Sequence, residues 1–230
     1  MNGPRQLPLD LAGEPGMGRD DFIESPSNAA ALALIDAWPN WPSPLVVLAG
    51  PVGAGKTHLA RIWQEASGAH RVDAQSITAT DQHRAESQPV LIDAITEGTI
   101  DENGLFHLIN TLRQSGQAML MTARSFPAAW GVDLADLASR LKAATVVEIG
   151  EPDDMLLSAA ITKLFADRQL QVDAPVVQYI ASRIERSLAA AIAAVDAIDR
   201  RAMETKARIT RPLAARVIAE HDMSQGELDL

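Results

Sequence analysis

The chain has 230 residues and no cysteine, which leaves room for one sizeable domain, or a core and a smaller second one, and excludes disulfides and thiolate metal sites. Its net charge of −10 argues against a strong autonomous grip on DNA phosphates, which calls for a basic face. With 47% hydrophobic residues, no apolar run near the ~18 residues of a membrane span and no apolar N-terminal stretch of the signal-peptide kind, a soluble cytoplasmic protein is expected.

Residues 1–20 are rich in glycine and proline and read as a flexible arm. Within it, Gln6-Leu7-Pro8-Leu9-Asp10-Leu11 alternates leucine with other residues, an extended peptide able to lay one face in an apolar groove; a plain tail is the alternative. Ser27-Asn28 then offers an N-cap to a helix carrying Ala31, Leu34, Ile35 and Trp38, stopped by Pro39, Pro42 and Pro44. Trp38 and Trp41 read as core or interface aromatics.

Residues 45–49 (LVVLA) have the continuous apolar character of a buried parallel strand. The next eight, Gly50, Pro51, Val52, Gly53, Ala54, Gly55, Lys56 and Thr57, fit G-x-x-x-x-G-K-[ST], and Leu59, Ile62, Trp63 and Ala66 follow at helical spacing past His58. A strand, a glycine loop and a helix start in that order make a phosphate cradle. Glycines let backbone N–H groups turn inward, and the helix N-terminus adds partial positive charge. Lys56 is placed to reach the terminal phosphates, and the Thr57 hydroxyl to sit on Mg²⁺.

Residues 71–73 read as a short strand, and 74–88 are polar without a usable period. Val90-Leu91-Ile92-Asp93 is an apolar strand ending in a carboxylate, the pattern that holds Mg²⁺ through its water shell beside such a loop. A helix over 103–114, a strand over 118–122, a loop over 123–133, a helix over 134–141 and a strand over 145–149 follow. Beyond Pro152 only helices are expected: one with Leu157, Ile161 and Leu164, one opened by Asp173 and Pro175, one with Leu188, Ala191, Val195 and Ile198, and one capped by Thr210. The fold class is α/β, a parallel sheet flanked by helices and followed by a small all-α lid. The expected divisions are an arm over 1–20, a nucleotide-binding unit over 21–150, a lid over 151–223 and a tail over 224–230.

Such a core and lid resemble the AAA+ P-loop ATPases. Residues 102–110 (ENGLFHLIN) are similar to the helix after the Walker B strand in the DnaA initiator family, and 136–141 (DLASRL) to its arginine-finger segment. Arg186-Ser187-Leu188 resembles the start of the lid helix carrying the sensor-2 arginine, and the stretch from Phe22 to Asn28 the adenine-side segment. The peptide from Gln6 to Leu11 is similar to the sliding-clamp-binding hexapeptide of bacterial replication proteins. Neither the initiator's N-terminal domain nor a helix-turn-helix domain after the lid is recognisable in the 230 residues. The arrangement is similar to the Hda-like regulators of the initiator.

The resemblance implies a regulator that binds ADP or ATP with Mg²⁺, engages the DNA polymerase III sliding clamp through Gln6, Leu7, Leu9 and Leu11, and stimulates ATP hydrolysis by DnaA, preventing re-initiation. Arg140 would be a finger acting on a neighbouring subunit's nucleotide, and Arg186, Thr122, Phe22, Asn28 and His58 would line the chain's own site. A second acidic or amide residue commonly follows the Walker B aspartate in the family; here Ala94 follows Asp93, and Arg124 stands two residues beyond Thr122 where the initiator has aspartate. Ala94 cannot orient an attacking water, and Glu97 does so only if its loop curls back, so slow hydrolysis by the isolated chain is expected. The competing readings are an autonomous P-loop ATPase or kinase, and an initiator-like DNA-binding or helicase-loading protein.

Overall fold

The computed structural model describes residues 17–226, and side chains through residue 220. The peptide from Gln6 to Leu11 and residues 227–230 lie outside the described residues. Five parallel strands make one sheet: β1 (Leu45–Ala49), β2 (His70–Arg71), β3 (Val90–Ile95), β4 (Met119–Ala123) and β5 (Thr145–Glu148), in the order β2-β3-β4-β1-β5. Alternation along the strands sends side chains to two cores, as a sheet covered on both faces requires. Leu45, Val47, Val90, Ile92, Met119 and Met121 pack with Leu105, Leu108, Ile109 and Leu112 of α4 (Glu102–Ser115) and with Leu137 and Leu141 of α5 (Ala135–Lys142). On the other face Val46, Leu48, Leu91 and Leu120 meet α1 (Ala29–Asp36) and α2 (Lys56–Ser67).

Four helices follow the sheet: α6 (Asp154–Asp167), α7 (Ala174–Ala181), α8 (Leu188–Thr205) and α9 (Arg211–Gly226). They share a core of their own, with Leu157, Ile161, Phe165, Ile180, Val195 and Ile198 buried together. Asp153 and Ser187 cap α6 and α8 by accepting from the Leu156 and Ala190 N–H groups. Among the described residues no helix is long and apolar enough to cross a membrane.

Several expectations are corrected. The end of the arm is docked: Arg19 holds Asp36 through two hydrogen bonds, and just past the arm Asp21 accepts from Lys163 of α6 at 2.8 Å. The short strand is His70–Arg71 instead of 71–73. The polar stretch 74–88 contains α3 (Ala79–Arg84), too short to show a period but opened by a capping box in which Thr78 and Asp81 satisfy each other's backbone N–H groups. Asn28 occupies the N-cap of α1 without capping it; its side chain accepts from Ser25 N–H and donates to the Ile23 carbonyl, bracing the segment before the helix. The third strand continues past Asp93 through a bulge to Ile95. Helix α9 runs to Gly226, into the expected tail. Trp38 and Trp41 do cluster, against Trp63 of α2, with Trp41 and Trp63 stacked 5.1 Å apart.

The edge strand β2 is tied to α3 by a polar triad. The His70 ring Nε2 lies 2.8 Å from Asp81, and Arg84 lies 3.1 Å from Nδ1. Burial alone would raise the Asp81 carboxyl, but hydrogen bonds from Thr78 and His70 outweigh it and hold the group below the usual aspartate range. A depressed folded-state value means stability present above the unfolded value and lost as pH falls through the folded one. Acid titration of stability should therefore steepen below the ordinary aspartate range, and Asp81→Asn should abolish that increment, read by urea unfolding at stepped pH.

Candidate functional site

The chemistry gathers at the carboxyl ends of β1, β3 and β4, where open α/β sheets place their ligands. The loop from Gly50 to Gly55 leaves β1 and enters α2 directly. Its glycines are needed where they stand: a Cβ on Gly50 would lie 2.3 Å from the Ile149 carbonyl oxygen, and Gly53 takes a φ of +74° with no room for a Cβ beside Ser187. The Lys56 ammonium donates to the Gly50 and Pro51 carbonyls at 2.7 and 2.6 Å. Burial, reinforced by the nearby Arg124 and opposed by Asp93, holds this amine below the ordinary lysine range.

Asp93 is the hub. Its side chain is 5% exposed, and its two oxygens are engaged on both sides. Oδ1 accepts from the Thr122 hydroxyl at 2.7 Å and faces the Thr57 hydroxyl at 3.3 Å. Oδ2 accepts from Arg71 Nη2 at 3.3 Å. Thr122, 1% exposed, in turn accepts from the Ala94 N–H at 2.7 Å. That bond holds Ala94 at a φ of +66°, an unusual conformation for alanine, at the bulge of β3.

Two flanking elements close over the loop. From the N-terminal side, Gly18 O lies 2.9 Å from His58 Nε2, and Phe22 packs edge-on against the His58 ring at 5.2 Å. From the helical region, the Leu188 N–H donates to the Gly53 carbonyl at 3.0 Å. Arg186, next to this contact, is paired with Asp154 at 2.8 Å, both side chains largely exposed. Arg140 lies elsewhere: its guanidinium sits 4.7 Å above the Phe106 ring of α4, with Nε buried and unpartnered. The Glu97 carboxylate accepts from the Ser125 hydroxyl at 2.5 Å.

Comparison with known proteins places this geometry. Residues 155–218 match the family model described as Hda, lid domain. Over 95% of its length the chain is 29% identical to the chromosomal replication initiator protein DnaA of Thermomicrobium roseum, covering 53% of that protein. The fold superposes on domain III of the Thermotoga maritima replication initiation protein DnaA with a TM-score of 0.77 and 17% identity, over 94% of this chain and 98% of that one. AMPPCP-bound DnaA from Aquifex aeolicus superposes with a TM-score of 0.64 and 20% identity, over 80% of this chain and 64% of that one.

The chain is similar to DnaA over nearly all of its length and to Hda in its lid region. It spans about half the length of the DnaA proteins it matches in sequence, 53% and 51% for two of them.

In this chain the structure brings Thr57, Asp93 and Thr122 into one hydrogen-bonded set, holds Lys56 beside it on the Gly50 and Pro51 carbonyls, and wraps Phe22, His58 and the start of the lid around the same loop. It keeps Arg140 apart on α5 and ties Asn28 to its own segment. Arg71 was not foreseen. No motif marks it, and only the pairing of β2 with β3 shows that an arginine opposite Leu91 reaches Asp93. Replacing Thr122 by valine keeps its shape but leaves the Ala94 N–H and an Asp93 oxygen without this partner. The expected cost is about 1–3 kcal/mol of stability by urea denaturation, while Thr122→Ser should keep most of it.

Proposed function

We propose that the chain regulates replication initiation by binding an adenine nucleotide at the loop from Gly50 to Thr57 and acting on DnaA bound to a neighbouring nucleotide. The observation that carries this reading is the Hda-type lid over residues 155–218 on a DnaA-type core. The glycine cradle and the lysine fit a phosphate chain, and Thr57 and Asp93 are the pair that would face any magnesium ion bound with it. Phe22, His58 and Arg186 would complete the pocket, with Asn28 bracing the segment that carries Phe22. The nucleotide supplies the bound anion; the chain supplies backbone donors, the Lys56 charge and a lid contact through Gly53. AMPPCP is bound in the related Aquifex aeolicus DnaA, which supports an adenine nucleotide as the ligand.

Ala94 brings no carboxylate to the reacting end of the site, and Glu97 is tied to Ser125. Hydrolysis by the chain alone is therefore slow, and the nucleotide acts mainly as a conformational ligand. Arg140 has the properties of a group supplied in trans. Among the described residues no carboxylate pairs with it, and an aromatic face holds its charge without neutralising it. A guanidinium arriving at a neighbour's γ-phosphate stabilises the transition state of phosphoryl transfer. Gln6, Leu7, Leu9 and Leu11 would tether the chain to the sliding clamp.

ATP bound to DnaA, followed with this protein, clamp and DNA each present or omitted, tests the reading as a whole. Hydrolysis should accelerate only with all of them present. Arg140→Ala should abolish the acceleration and leave clamp binding intact; loss of both would mean a folding role. Gln6→Ala with Leu9→Ala should weaken clamp binding, and unchanged affinity would remove the clamp from the proposal. Turnover of ATP by the isolated chain should stay well below ~1 s⁻¹, and faster turnover would favour an autonomous ATPase.

A further inference from the structure

The charges around Asp93 do not have the balance that a magnesium site ordinarily needs. Mg²⁺ dehydrates reluctantly and is usually held by one or two carboxylates together with phosphate oxygens. Here Ala94 follows Asp93, so the site offers a single carboxylate, the low end of that range. The one carboxylate is already engaged by Thr57, Thr122 and Arg71. The Arg71 guanidinium opposes a second cation at that carboxylate, and Lys56 and Arg124 add positive charge close by.

Arg71 meets the loop's end of the sheet through Asp93, whose other oxygen faces Thr57 at the start of α2. It is half exposed, and one of its nitrogens, Nη2, reaches Asp93, which leaves other N–H groups for phosphate oxygens. Its position is not that of a loose surface arginine. It sits on β2 opposite Leu91 of β3, and its neighbour His70 anchors the strand to Asp81 of α3. We propose that Arg71 takes the electrostatic place of the magnesium ion, so that this chain binds adenosine di- and triphosphates with little dependence on divalent metal. The proposal rests on the nucleotide-site reading above and adds a residue and a metal dependence to it.

The test is the affinity of the full chain for a fluorescent, non-hydrolysable ATP analogue, measured in Mg²⁺ and in EDTA. Wild type should change by less than about threefold between the two, while Arg71→Gln should lose about tenfold in EDTA, the scale of one unit charge acting across several ångströms near a protein surface. Arg71→Lys keeps the charge and should fall between them. Arg113→Gln, an exposed arginine of α4, should follow wild type and controls for net charge. Unchanged thermal melting shows that the variants are folded. If wild type and Arg71→Gln lose the same factor in EDTA, or if neither responds, Arg71 does not stand in for the metal and the proposal is overturned. Absence of binding in both conditions overturns the nucleotide site itself, and this proposal with it.

Discussion

The Asp93 carboxylate is the point through which the core's parts are joined. Nearly buried, it would be costly without donors, and the structure supplies three from three different elements: Thr57 at the start of α2, Thr122 at the end of β4 and Arg71 on β2. Each comes from an element that packs beside β3 or against it. The strand order makes this possible, because β2 and β4 flank β3 and α2 lies against its face. The bulge after Asp93 belongs to the same arrangement. It frees the Ala94 N–H for Thr122, which orients the hydroxyl toward the carboxylate.

The phosphate loop is fixed from above as well as from below. Ile149 excludes any side chain at Gly50, and Ser187 excludes one at Gly53. Among the described residues one backbone hydrogen bond, from Leu188 to Gly53, joins the helical region to the loop, so the position of α8 follows the loop's carbonyl. The Arg186–Asp154 pair beside it is exposed, and such a pair contributes little by itself. The contact that holds lid and loop in register is thus short-range packing and one backbone bond, with the arginine left on the solvent side.

Three arginines illustrate how the same group is held for different ends. Arg71 is paired with a buried carboxylate, Arg186 with an exposed one, and Arg140 with an aromatic ring and no carboxylate among the described residues. A guanidinium over a ring keeps its full charge and part of its desolvated surface, which suits a cation meant for a partner. One paired with Asp93 screens that carboxylate and bears on the metal that the carboxylate would otherwise hold.

The sequence by itself determined the elements whose signal is local: the strand, glycine loop and helix from Leu45 to Ser67, the apolar run that carries Asp93, the helical period from Leu157 onward, and the residue types of the loop, since those glycines and Lys56 serve one geometry. It missed α3, whose six residues are too few to show a period, and it took Asn28 for a cap because side-chain direction is not written in residue type. What only the tertiary structure decided are the meetings between distant residues: Arg71 with Asp93, Ser187 with Gly53, Arg140 with Phe106. Those depend on strand order and helix packing, which sum over the whole chain, while a motif reports only the few residues that a turn or a cradle constrains directly.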